Sequence, residues 1–569
     1  MKPLLIALLM LLGWLNASHF SPWVSWHSEV PFFFLTFAVA LYGIVGNTSK
    51  SWVSVPRPVK LALVLAGVVV VQRLLGIVAW TGQAIVVLLY LAVVVVSITW
   101  GWREAHSIDG VHPSTGHCAG QWLAWVLIVG GIASIGVALA QVLQVWEGVP
   151  LLARQAYIRR PGGNFAQPNH LATLLVMSVA AALFLRWMGK LAAPTLVLLL
   201  LVFNAGIAVT ESRSGLLSAL IVYGFWAWRR PGVDSGLTRP LALIPAATVL
   251  ILFLVWPVLY RSWTGGLILE AGVERIGAGA SDPRWTLWRQ LYEASWLHPW
   301  LGWGFRDTAE AHNAVAHDAF SSLPVTYSHN LVLDFVLWLG WPTGILVIIL
   351  IGHWAWTRIG PASLNQLGWF GCAVLIPFAV HSMFEFPYAY AYFLVPAMLA
   401  VGYVERAARP NDAVMKIPRS VAYTAVGVLL LSSVIATVDY LRAEENFRVA
   451  LFELLKIGNV SKEPPPKIIL LDQLDDMVAS TRVLLHPGMK EEDIDRLRMA
   501  ALHYPWSGSQ YRYAMALAFN DSIEEARRQM QVLKAQHGMK VYQVLAAQLE
   551  RNMAEHGLPV LGLQLEGAR

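Results

Sequence analysis

His329 and Asn330 stand where a long polar stretch gives way to an apolar run. A neutral imidazole at such a boundary can take a proton from an acceptor hydroxyl, assistance worth about 10²–10⁴-fold. The plainer reading is a residue that caps the helix start or meets lipid headgroups. Arg213 lies in Thr210-Glu211-Ser212-Arg213-Ser214-Gly215, a polar break between two apolar runs. A guanidinium is a rigid fork of donors that matches two phosphate oxygens at once, which an ammonium cannot do. Its alternatives are snorkelling, or pairing with Glu211. Arg284 and Arg289 fall on a candidate amphipathic surface helix, Ser281-Asp282-Pro283-Arg284-Trp285-Thr286-Leu287-Trp288-Arg289, where they could grip the same kind of anion or anchor the helix at an interface.

Three further clusters carry polar groups. Asn164, Gln167, Asn169 and His170 precede an apolar run in a Gly/Pro-interrupted segment. Side-chain amides both donate and accept, which suits sugar hydroxyls or a phosphate-bearing leaving group. The alternative is a turn with Asn169 at or near a helix N-cap. His381 and Glu385 are four apart near the end of another run, and would meet on one face if the helix continues through Phe386. His19 and Glu29 lie in the short stretch Ser18 to Val30.

The elements that must hold these residues are apolar spans. About thirteen runs approach the ~20 residues a helix needs to cross a bilayer. They lie near 3–17, 31–46, 60–80, 83–101, 121–143, 171–188, 191–210, 215–228, 240–259, 331–353, 366–384, 389–404 and 420–438. Threaded alternately from an inside N-terminus, they put every lysine before residue 440 on one side: Lys2, Lys50, Lys60, Lys190 and Lys416. Arg57, Arg103, Arg186, Arg229, Arg230, Arg239, Arg358, Arg406, Arg409 and Arg419 join them, and the positive-inside bias makes that side the cytoplasm. The other side carries Arg154, Arg159, Arg160, Arg213, Arg261, Arg275, Arg284, Arg289 and Arg306, all arginine and no lysine. Arginines placed against the bias point to a site that grips an anionic substrate outside the cytoplasm.

Composition agrees. Of 569 residues, 57% are hydrophobic and 13% charged, so water-soluble classes are excluded. The net charge of +6 sits mostly in cytoplasmic loops and reflects topology rather than nucleic-acid binding. Cys118 and Cys372 make no disulfide framework, and no Cys/His spacing resembles a metal site. Span 1 could also be a signal peptide cut near Asn16-Ala17-Ser18, which leaves the topology unchanged. The expected fold is all-α: a polytopic membrane domain over 1–439 with a large outside loop at about 260–330, then a helical domain over 440–569. Breaks in that tail fall at Pro464-Pro465-Pro466, Pro487-Gly488 and Tyr504-Pro505, and Tyr511 to Met530 reads as two short packed helices of tetratricopeptide style.

Gly162-Gly163-Asn164-Phe165-Ala166-Gln167-Pro168-Asn169-His170, Ser212-Arg213-Ser214-Gly215 and Ser328-His329-Asn330 resemble the O-antigen ligase and polymerase superfamily. His19-x-x-Pro22-Trp23 with Glu29, the stretch from His381 through Pro387 to Tyr392-Phe393-Leu394, and the helical tail narrow the resemblance to the PglL-type bacterial protein O-oligosaccharyltransferases, or pilin glycosylases. It runs from about residue 15 to about residue 540. It implies en bloc transfer of a preassembled glycan from undecaprenyl-diphosphate, at the periplasmic face of the inner membrane, to Ser or Thr of a protein such as a type IV pilin. It also implies no metal and no cofactor. His329 would be the base or acceptor-orienting residue. Arg213, helped by Arg284 or Arg289, would hold the diphosphate, and Asn169 and His170 would line the same site. Asn164, Gln167, Asn330, His19, Glu29, His381 and Glu385 complete the set of candidate donor- and acceptor-binding residues. One departure is plain: where many relatives carry Gln and then Glu after His-Asn, this chain has Asp334 and Trp338.

The chemistry suits the residues. A diphosphate leaving group already carries much of the driving force, so the protein mainly positions groups and neutralises charge. With no obvious nucleophile, an inverting single displacement is expected. Two other readings compete. An O-antigen ligase or polymerase would use the same donor, but the tail and the His381 stretch count against it. A flippase for lipid-linked glycans predicts polar midplane helices and internal repeats, of which Gln72-Arg73 is the main hint.

Overall fold

The computed structural model describes residues 3–45, 51–106, 119–145, 149–154, 160–229, 243–263, 283–318, 324–410, 414–457, 464–559 and 561–563. Lys2, Lys50, Cys118, Arg159, Arg230, Arg239, Arg275, Ser281 and Asp282 lie outside the described residues. In chain order the helices are α1 (Pro3–Trp14), α2 (Trp26–Val45), α3 (Val59–Leu74), α4 (Thr81–His106), α5 (Gln121–Val142), α6 (Pro168–Trp187), α7 (Ala193–Thr210), α8 (Arg213–Trp228) and α9 (Ile244–Trp263). Then come α10 (Pro283–Ser295), α11 (Thr308–Val315), α12 (Leu331–Ala362), α13 (Gln366–Ser382), α14 (Ala391–Ala408) and α15 (Arg419–Leu454). The tail adds α16 (Asp472–Arg482), α17 (Glu491–His503), α18 (Ser507–Phe519), α19 (Ile523–His537) and α20 (Met539–Glu555). Two short strands, β1 (Trp52–Val55) and β2 (Met415–Pro418), pair antiparallel.

The chain is an all-α, multi-pass membrane protein. Each of the thirteen apolar runs lies on a helix. Among the described residues eight helices are long and apolar enough to cross a membrane: α2, α4, α5, α6, α7, α9, α12 and α15. The other five (α1, α3, α8, α13 and α14) are shorter or interrupted by polar residues. Several boundaries differ from expectation: α3 ends at Leu74 rather than near residue 80, and α12 runs on past 353 to Ala362. α2 begins at Trp26, so Glu29 belongs to its first turn rather than to the preceding loop. Pro31 lies inside the helix at its sixth position, where it supplies no N–H to the ladder. α15 continues through the polar residues after 438 to Leu454.

Two compact units form. The first comprises Met1–Ala66, Leu88–Ala278 and Leu350–Val434; the second comprises Gly67–Val87, Gly279–Ile349 and Ile435–Arg569. In the first, α6 is the central helix, with 94% of its apolar window buried, as expected of a helix that is apolar on every face. It packs against α5, α7, α8 and α13. The antiparallel β1–β2 pair, with Trp52 opposite Pro418 and Val55 opposite Met415, ties together the segments that lead into α3 and α15.

In the second unit, α12 breaks at Gly340, whose φ of 75° and ψ of 168° suit glycine alone. The segment 299–303 enters the break. Trp303 N donates to Leu337 O (2.8 Å) and Trp341 N to Pro299 O (2.8 Å). A Cβ on Gly340 would stand 2.5 Å from the Trp300 carbonyl. The Gln72 amide seals the junction, donating to Leu301 O (3.0 Å) and Trp338 O (2.7 Å) and accepting from Phe305 N (3.1 Å). That explains a polar residue in an apolar span without any transport path. In the tail, α18 and α19 pack as the expected helix pair through Ala514, Ala518, Ala526 and Met530, and α20 covers them with Ala546 and Leu549.

Candidate active site

The first unit gathers most of the nominated amides and carboxylates at one end of its helices. Asn169, in the first turn of α6, is the hub. Its Oδ1 accepts from Ser212 Oγ (2.7 Å) and from Arg160 Nη2 (3.4 Å), and its Nδ2 donates to Glu385 Oε1 (3.2 Å). Ser212 is the N-cap of α8, its Oγ also accepting from Gly215 N (3.1 Å). Arg213 is the next residue and is exposed. Arg160 Nε donates to Thr210 O (2.9 Å), so a second guanidinium is tied to the same 210–213 turn. The sequence offered Arg160 only as one of several outside arginines.

His381 and Glu385 do not share a helical face. α13 ends at Ser382, and the residue before Pro387 is pushed out of the helical region, with Phe386 at φ −124°. Glu385 turns to Asn169, while His381 Nδ1 lies 2.7 Å from Thr173 Oγ1. The Thr173 hydroxyl donates to Asn169 O (2.9 Å), so it accepts from an Nδ1–H of His381. His170 is buried in a box of rings formed by Phe165, Tyr390, Tyr392, Phe393 and His381, with Nδ1 3.1 Å from Tyr392 Oη.

Other candidates in this unit hold the fold. Gln167 caps α6, accepting from Asn169 N (3.0 Å). Asn164 donates to Leu15 O (2.6 Å) and Leu151 O (2.9 Å) and accepts from Ala153 N (3.0 Å). His19 Nε2 donates to Asn164 O at 2.6 Å. Glu29, fully buried, accepts from Trp23 Nε1 (3.2 Å), Ser25 Oγ (2.6 Å), Tyr90 Oη and Ala391 N (3.0 Å). A buried carboxylate needs that many donors.

The second unit carries His329. Its backbone is left-handed at φ 58°, an uncommon conformation for a residue with a Cβ. Both flanking residues are pinned. Ser328 N donates to Asp334 Oδ1 (2.9 Å), and Ser328 O accepts from Trp288 Nε1 (2.8 Å). Asn330 caps α12, its Oδ1 accepting from Val332 N (3.0 Å) and Leu333 N (3.2 Å), so the helix-cap role weighed above for His329 falls to its neighbour. Asp334, fully buried, also accepts from Thr308 Oγ1 (3.0 Å), and that hydroxyl accepts from Trp338 Nε1 (2.8 Å). The two positions that depart from the family pattern thus brace the His329 turn. On α10, Arg284 is half-buried, whereas Arg289 is exposed beside Glu293 (3.7 Å).

Three family models match, and between them they cover the 162–170, 212–215, 328–330 and 381–394 motifs but not the His19 to Glu29 stretch. "Protein glycosylation ligase" matches residues 161–185, "O-Antigen ligase" matches 195–348, and "Virulence factor membrane-bound polymerase, C-terminal" matches 369–551. The resemblance to the O-antigen ligase superfamily read from the motifs is therefore borne out. Within it, the relatives are protein O-oligosaccharyltransferases. The chain is 25% identical over 547 residues to the General O-oligosaccharyltransferase of Acinetobacter baylyi, spanning 94% of this chain and 92% of that protein. It is 26% identical over 287 residues to the ComP-specific O-oligosaccharyltransferase of the same organism, half of each chain.

Proposed function

We propose that this enzyme is an oligosaccharyltransferase that moves a preassembled glycan en bloc from a lipid-diphosphate carrier to hydroxyls of proteins. The carrier is undecaprenyl-diphosphate, the acceptor residues are Ser or Thr of a protein such as a type IV pilin, and the reaction faces the periplasm. The carrying observation is the reach of the similarity to a General O-oligosaccharyltransferase, 94% of the chain, tail included. The O-antigen ligase and polymerase readings draw only on family descriptions that cover parts of the chain.

In a single displacement the acceptor oxygen attacks the anomeric carbon, the bond from that carbon to the diphosphate oxygen breaks, and the acceptor proton passes to His329. Inversion at the anomeric carbon follows. Arg213, exposed at the start of α8, grips the departing diphosphate. Arg284 or Arg289, both on α10, supplies a further cation. Asn169 and Glu385 hold the 212–213 turn in place, and His170 and His381 shape the wall beside it. Residues 440–569 serve the protein acceptor.

The test uses cells that supply an undecaprenyl-linked glycan, a pilin and a lipid A core but no ligase of their own. Expression of this chain should glycosylate protease-sensitive pilin, and His329→Ala or Arg213→Ala should abolish the product. Glycan on protease-resistant lipid A core would move the chain to the ligase branch instead.

A further inference from the structure

Within the second unit a buried polar chain runs from the tail to the His329 turn. His503, the last residue of α17, sets Nδ1 3.0 Å from Asp307 Oδ1. Gln83 Nε2 donates to the same oxygen (2.7 Å), and the Trp80 ring stands edge-on to the imidazole at 4.6 Å. Asp307 leads directly into Thr308, the first residue of α11, whose hydroxyl binds Asp334 Oδ1. That oxygen in turn holds Ser328 N. Asp307, Thr308, Asp334 and Ser328 are each at most 1% exposed. Tail helices grip α11 elsewhere too: Gln536 Nε2 donates to His312 Nδ1 (3.3 Å), and Arg528 to Ala314 O (3.1 Å).

We propose that His503 is a positioning residue for the transfer reaction, acting through Asp307, Thr308 and Asp334 to hold His329 in its left-handed turn. The inference rests on the role given to His329 above. It assigns the tail a part in the chemical step, beyond reception of the acceptor. A non-glycine residue at positive φ persists only where its surroundings over-determine it. Asp334 supplies that restraint at Ser328, and Thr308 fixes Asp334. The start of α11, which presents Thr308, is fastened by His503 and Gln83 through the Asp307 carboxylate. Small displacements of a reacting group are costly in rate, on the order of 10²-fold per ångström.

The linkage has a sign. Burial of the His503 ring pulls its pKa down, but the charge and hydrogen bond of Asp307, with the charge of Glu310 3.9 Å away, outweigh this and the charge of Arg498, and the net shift is upward. His503 therefore holds Asp307 as an imidazolium below that raised value, and the grip weakens as pH rises through it.

The experiment takes the full chain in lipid nanodiscs with an undecaprenyl-diphosphate oligosaccharide and a serine-bearing acceptor protein. It measures kcat and acceptor KM against pH for His503→Gln, Thr308→Val and the double variant. Each single change should lower kcat about 10-fold with acceptor KM changed less than about 2-fold, as for loss of geometry rather than of binding. The double variant should lose about 10-fold as well, not the ~100-fold of independent sites, because both changes break one chain. His503→Gln should also remove an alkaline fall in kcat that the wild type shows. A rise in acceptor KM at constant kcat, multiplicative losses, or an unchanged pH profile would overturn the proposal. Absence of any protein glycosylation by the wild type would instead sink the functional reading beneath it. Thr308→Val is nearly isosteric, so it carries the test even where His503→Gln fails to accumulate.

Discussion

Changing Asn169 to Asp replaces one atom, and that atom faces Glu385. The amide nitrogen that donates to Glu385 Oε1 at 3.2 Å becomes a carboxylate oxygen. Two unit charges at that separation repel by about 5 kcal/mol at an effective dielectric of about 20, and a hydrogen bond worth about 1 kcal/mol is lost as well. The Arg160 guanidinium, 3.4 Å from the other oxygen, offsets part of this. Uptake of a proton or withdrawal of a side chain relieves more, leaving a net cost of roughly 2–4 kcal/mol on the arrangement that holds Ser212 beside Arg213. Asn169→Asp should therefore lower glycan transfer to the acceptor protein about 100-fold, read by mass spectrometry of the acceptor at matched expression. The reversed pair, Asn169→Asp with Glu385→Gln, restores one carboxylate and one amide, and should recover activity to within about 10-fold of wild type. A fully active Asn169→Asp variant, or a double variant no better than the single, would refute the coupling.

Other predictions are simpler. Gly340→Ala forces a Cβ to within 2.5 Å of the Trp300 carbonyl in a glycine-only conformation, so thermal unfolding should shift down by the equivalent of about 3 kcal/mol; an unchanged melting curve would show that the break in α12 tolerates a side chain. Arg213→Lys keeps the charge and loses the fork, so it should fall roughly 10-fold in kcat/KM for the lipid-linked donor, with Arg213→Ala lower still. A fully active lysine variant would reduce Arg213 to a point charge. Asn330→Ser keeps a helix cap and should retain transfer, whereas Asn330→Ala should cost about 1 kcal/mol of stability. Loss of activity in the serine variant at unchanged stability would mean that Asn330 touches substrate.

What could be seen in the sequence was local. Apolar runs became helices because length and composition decide that, and His329 was visible because polarity switches abruptly beside it. The partnerships were not visible. Asn169 and Glu385 are 216 residues apart, and nothing in either segment announces the other. The spacing of His381 and Glu385 suggested a shared helical face, but Pro387 was the available signal that the helix stops short. Gln72 looked like a misfit in an apolar span because its partners are main-chain groups near 301–305 and 338. Asp307 and His503 carried no motif at all; only the folded second unit brings them to 3.0 Å.

Glu29 carries a consequence for how the protein is made. Its carboxylate is complete only when Ala391 N reaches it, 362 residues later in the chain. At a synthesis rate of about 5–20 residues per second, that interval is roughly 20 to 70 s. Throughout it, an acidic group near the start of an early membrane helix lacks one of its eventual donors, while the ribosome is still delivering the segment that supplies it. The nascent chain must therefore be sheltered by water, headgroups or the insertion machinery until its last third arrives. Biogenesis, rather than the finished fold, is where this carboxylate is most vulnerable.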